Sequence, residues 1–224
     1  MSVYIILVFT SYIIASIVNV WGRHKRDDLN NYLSKPLLMP LLAIGYALVA
    51  GSHMSWIIIA ALVLCAIGDV FLMLPEKKAD KPVLFPLGML AFMSGHLCYF
   101  SWYVMYTRSA GFTGAWATGI FAFLAGIAVI VIILKKLNAG KFLPLFVLYT
   151  VIIMLNVAGA IGTWGTGSIS GTVLCTVGAF LFVFSDAMIA FDVLGKPMGG
   201  PDVVMITYTI AQLMLVVGII TLSV

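Results

Sequence analysis

Eight long apolar runs, separated by short loops, leave this chain few folds to choose from. A membrane-crossing helix needs about 20 mainly apolar residues. Runs of that kind fall at 3–21, 36–51, 55–74, 83–106, 114–134, 142–162, 169–191 and 203–222. The second is the shortest and is bordered by Pro36 and Pro40. Soluble domains are about 45–50% apolar and about 25% charged. Here 63% of the 224 residues are hydrophobic and 9% are charged. The runs are continuous and do not alternate at period two, which argues against a β-barrel. The expectation is an all-α polytopic membrane protein of about eight transmembrane helices, forming a single integral membrane domain over 1–224. The first run lacks the basic n-region and cleavage site of a signal peptide, and so reads as a retained span.

Charge sets an expected orientation. Eleven of the twelve Lys and Arg residues fall in loops 1–2 (Arg23, Lys25, Arg26, Lys35), 3–4 (Lys77, Lys78, Lys81), 5–6 (Lys135, Lys136, Lys141) and 7–8 (Lys196). Arg108 alone lies opposite. By the positive-inside rule those loops are cytoplasmic and both termini are not, in a cell (inner) membrane. The net charge of +4 therefore reports topology and gives no reason to expect nucleic acid as a partner. Cys65, Cys98 and Cys175 all fall in spans without a CxxC, and read as apolar filler.

CAIGDVFLML (65–74) in span 3 matches FVFSDAMIAF (182–191) in span 7: each places an Asp after a small residue near the basic end. His96 follows Asp69 by 27 residues, and Gln212 follows Asp186 by 26. Two parallel four-helix repeats would give this pattern, related by an axis along the membrane normal.

Few polar residues lie well inside the spans: Asp69, Asp186, His96, Asn156 and Gln212. Ionisable groups there are rare and face the bundle interior, so each is a functional candidate. Asp69 and Asp186 both sit about 7–8 Å from the basic end of their spans, at 1.5 Å per residue. Two helices can bring such a pair together. On span 4, Phe92, His96, Tyr99 and Tyr103 share a face. Tyr208 and Gln212 share one on span 8, as do Tyr149 and Asn156 on span 6. These are packing or ligand-contacting side chains. Lys35, at the mouth of span 2, is a topology lysine or meets a phosphate.

Several chemistries are excluded. A zinc hydrolase needs about three converging ligands, but His24, His53 and His96 fall at opposite ends and the middle of the membrane. No GxSxG, GxGxxG or P-loop occurs. No metal or cofactor is therefore expected. What remains is a carboxyl dyad in a lipid-accessible cavity. Two nearby carboxyls do not easily both ionise in a low dielectric. One then serves as an acid and the other as a base, an arrangement suited to acid-catalysed addition of water.

KPLLMPLL (35–42), GDVFLM (68–73), FMSGHLCY (92–99), SDAMIA (185–190) and ITYTIAQ (206–212) resemble, in order and spacing, the motifs of the YhhN family of lysoplasmalogenases. The resemblance implies an eight-span enzyme that hydrolyses the vinyl ether of lysoplasmalogen to a fatty aldehyde and glycerophosphoethanolamine or glycerophosphocholine. It implies Asp69 and Asp186 as catalytic, with His96, Tyr99, Tyr208 and Gln212 lining the pocket. The expected partners are a lysophospholipid and the bilayer. Lys35, Lys141 or Arg23 would hold the phosphate.

Two other classes use membrane carboxyls. A proton-coupled transporter would break its helices near the acids. An intramembrane aspartyl protease would show Gly-x-Gly-Asp and Pro-Ala-Leu segments, which are absent.

Overall fold

The computed structural model describes residues 3–74 and 83–223, and for Lys141 the backbone alone. The described residues form eight α-helices: α1 (Val3–Lys25), α2 (Asp28–Ala50), α3 (Trp56–Met73), α4 (Leu84–Ala110), α5 (Ala115–Lys136), α6 (Leu143–Gly162), α7 (Ile169–Val193) and α8 (Pro201–Ser223). All eight are long and apolar enough to cross a membrane. Lipid offers no hydrogen bonds, so each span must satisfy its backbone internally, and a helix does this. The chain is a multi-pass, all-helical membrane protein. Lys77, Lys78 and Lys81 lie outside the described residues.

Helix α2 departs from the sequence reading. It starts at Asp28, eight residues before the apolar run, with Pro36 and Pro40 inside it. Asp27 caps it: its Oδ1 accepts from the backbone N–H of Leu29 at 3.0 Å and of Asn30 at 3.3 Å. Asn19 of α1 donates to Asn31 Oδ1 at 3.1 Å and to Ser34 Oγ at 3.0 Å. These bonds hold a polar first turn that hydropathy passes over. Lys35 consequently stands two turns into a helix, with its side chain largely buried.

Successive helices pair as antiparallel hairpins, α1 with α2, α3 with α4, α5 with α6 and α7 with α8. Helix α2 packs on α3, and α6 on α7. The halves meet where α4 lies on α6 and α8 on α2, contacts that exchange when the halves are swapped. This is the pairing a four-plus-four arrangement requires. The symmetry is imperfect, because α1 also lies along α8, whereas α5 meets α4 at the Trp116 and Phe100 rings, 6.4 Å apart.

Small residues allow the close pairs. A Cβ on Gly95 of α4 would stand 2.9 Å from Cys65 Sγ on α3, and one on Gly218 of α8 would stand 2.6 Å from Cys175 Sγ on α7. Both cysteines are free and buried, each filling the space beside a glycine. Helices α6 and α8 form the centre: 56% of the most apolar stretch of α6 is buried, against 11% in α5. Exposed Ile, Leu and Phe on α1 and α5 present a lipid-facing surface.

Candidate active site

Asp69 lies one turn from the end of α3 and is 2% exposed. Both of its oxygens are held. Lys35 Nζ of α2 forms an ion pair with Oδ1 at 3.5 Å. The Tyr208 hydroxyl of α8 donates to Oδ2 at 2.7 Å. The Asp69 carboxyl is thus held from two helices, α2 just before α3 and α8 at the other end of the described chain.

Asp186 lies two turns from the end of α7 and is partly exposed. The Tyr149 hydroxyl of α6 donates to its Oδ2. Among the described residues, no Lys or Arg forms an ion pair with it. Beside it, the Ser185 hydroxyl donates to the Val204 carbonyl of α8 at 3.1 Å, locking the register of α7 on α8.

Asp69 and Asp186 share the wall of one cavity of about 450 Å³. Arg23, Asn31, Lys35 and the Gly199–Gly200–Pro201 turn line the end nearest the basic loops. Leu72, Phe85, Phe92, Met188 and Met205 make the apolar walls. Two smaller cavities, of about 40 and 50 Å³, also reach Asp186 and Tyr149 from the α4 and α5 sides of α6.

Three rings stand together below the carboxyls. Tyr208 and Phe182 have centroids 5.4 Å apart, Phe92 and Tyr208 6.0 Å, and Phe92 and Phe182 6.2 Å, all edge-on. His96 lies beyond Phe182, fully buried, with ring centroids 4.3 Å apart. Its Nδ1 pairs with Asn156 Nδ2 at 3.2 Å, while Nε2 has no hydrogen-bond partner among the described residues. Tyr99 donates to Gln212 Oε1 at 2.9 Å, one turn above Tyr208 on α8. Tyr103 is fully buried further along α4.

Of the expected residues, Asp69, Asp186, Lys35 and Tyr208 therefore meet at one cavity, and Tyr149 reaches it through Asp186. His96, Tyr99, Tyr103, Asn156 and Gln212 form a second buried layer that does not line it. Sequence reasoning passed over Phe182 and Asn31. Phe182 stands one helical turn before Asp186, the available signal for it. No three His, Cys, Asp or Glu side chains converge as a metal site among the described residues.

No curated protein and no solved structure matches the chain. The sequence model of the YhhN family matches residues 30–219, from the first turn of α2 to the last turns of α8, and takes in Lys35, Asp69, Tyr149, Asp186 and Tyr208. This chain belongs to the YhhN family.

Proposed function

We propose that the protein is a lysoplasmalogenase, an ether hydrolase that cleaves the vinyl ether of a lysoplasmalogen. The observation that carries this reading is the pair of carboxyls on one cavity with apolar walls and a basic mouth. A vinyl ether resists base and nucleophiles. It is opened by protonation of its β-carbon, which leaves an oxocarbenium ion for water to capture. One carboxyl supplies that proton; the other, as a carboxylate, stabilises the cation and takes a proton from the water. The hemiacetal then collapses to a fatty aldehyde and a glycerophosphoethanolamine or glycerophosphocholine.

The vinyl ether lies just below the headgroup of such a lipid. With the phosphate at the mouth, near Arg23 and Asn31, that bond would meet the part of the cavity wall that carries Asp69 and Asp186. The chain then runs along Phe85, Phe92 and Met188. His96, Asn156, Tyr99, Gln212 and Tyr103 support the ring layer from behind. The basic loops face the cytoplasm in this reading. Helices α3 and α7 run unbroken through both acids, which weighs against the discontinuous helices of a transporter.

The test is release of fatty aldehyde from lysoplasmalogen by the purified protein in detergent. Asp69→Asn and Asp186→Asn are each expected to abolish it while the protein stays folded. Full activity in either variant rules out the dyad.

A further inference from the structure

The two carboxyls lie near the same end of α3 and α7, the third helix of each half, but their surroundings differ in charge. Helix α2 stands to α3 as α6 stands to α7. At Asp69, α2 supplies a cation, Lys35. At Asp186, α6 supplies a neutral phenol, Tyr149. Asp69 has both oxygens engaged, Oδ1 by Lys35 and Oδ2 by Tyr208. Asp186 has Oδ2 engaged by Tyr149, and no hydrogen bond or ion pair reaches its Oδ1 among the described residues.

An opposite charge within about 4 Å favours the ionised form of a carboxyl, and a neighbouring like charge favours the protonated form of the second. The groups facing Asp186 are Tyr149 on α6 and, across the cavity, Asp69 on α3. Asp192 lines the mouth on its own helix, with Arg23 opposite on α1. Lys35 is committed to Asp69. Among the described residues, Lys35 is therefore the one cation paired with either carboxyl.

We infer that Asp186 is the protonated acid and Asp69 the carboxylate of the resting enzyme, with Lys35 the positioning residue that fixes this division. The inference rests on the dyad reading above and adds direction to it. Asp186 gives its proton to the β-carbon and becomes a carboxylate. Water adds to the oxocarbenium carbon and passes a proton to Asp69. In the collapse of the hemiacetal, its hydroxyl returns a proton to Asp186, while Asp69 protonates the departing glyceryl oxygen. One water is consumed, and both side chains end as they began. Lys35 in this scheme is a counter-ion, and the phosphate falls to Arg23 at the mouth.

Infrared spectroscopy tests the inference without turnover. A protonated carboxyl shows a C=O stretching band that shifts in D₂O. The full-length protein in detergent at neutral pH is expected to show this band. Asp186→Asn is expected to lose it and Asp69→Asn to keep it. Lys35→Met is expected to add a second protonated carboxyl, and Lys35→Arg to restore the original spectrum. A band carried by Asp69, no such band at all, or a Lys35→Met spectrum equal to the wild type overturns the inference. If the band follows Asp186 but lysoplasmalogen yields no aldehyde, the proton assignment stands and the substrate reading falls.

Discussion

Lys35 of α2 reaches Asp69 of α3 at 3.5 Å, with side chains 13% and 2% exposed. Removing one member of a buried pair costs up to about 3–5 kcal/mol, because the other must stay buried as an unpaired charge or take up a proton. Lys35→Met is expected to lower stability by an amount of that order, read by thermal unfolding in detergent. Adding Asp69→Asn to Lys35→Met is expected to recover much of the loss, the coupling that a double-mutant cycle measures. Additive losses would mean that the two side chains act independently.

Tyr208 and Tyr149 each donate a hydrogen bond to one carboxyl. Losing a hydrogen bond to a charged group costs about 1.5–3 kcal/mol, which corresponds to roughly 10–100-fold in rate if it is felt in the transition state. Tyr208→Phe is expected to slow aldehyde release by up to about that factor and Tyr149→Phe by less, because Asp186 is the neutral acid, and each lost bond is expected to lower the unfolding temperature as well. Initial rates beside melting curves separate the two effects.

The membrane class and the two acids were legible because both signals are local. Apolar runs report spans, and an Asp inside one is rare enough to stand out. The start of α2 was not legible: DLNNYLSK reads as a polar loop, and its helix depends on the Asp27 cap and the Asn19 bonds from α1. The partners of the acids were hidden for a different reason. Tyr208 is 139 residues from Asp69, and Tyr149 is 37 from Asp186, so helix packing alone brings them together. Lys35 read as a loop lysine near a phosphate, because nothing in its neighbourhood announces that it points inward at Asp69. The layer of His96, Asn156, Tyr99 and Gln212 was visible as polar residues in spans, yet its distance from the cavity depends on Phe182.

Arg23 lines the mouth of the cavity and lies before the matched family segment. Arg23→Gln is expected to raise KM for a phosphate-bearing lysolipid and to leave kcat nearly unchanged, as loss of a uniform binding contact does. A fall in kcat at constant KM would place Arg23 in the chemistry instead.

Gly218 meets Cys175 across the α7–α8 contact. Overpacking a close contact costs about 1–3 kcal/mol. Gly218→Val is expected to lower the unfolding temperature. The protein that remains folded should hydrolyse at the wild-type rate per molecule, because this contact is remote from the cavity. Rates normalised to folded protein check this.

The most direct measurement is aldehyde release from lysoplasmalogen by purified wild type, Asp69→Asn and Asp186→Asn, each shown to be folded. General acid–base groups contribute about 10²–10⁴-fold each. Release by the wild type and a fall of about that size in both variants are expected. Wild-type rates in either variant would contradict the carboxyl dyad.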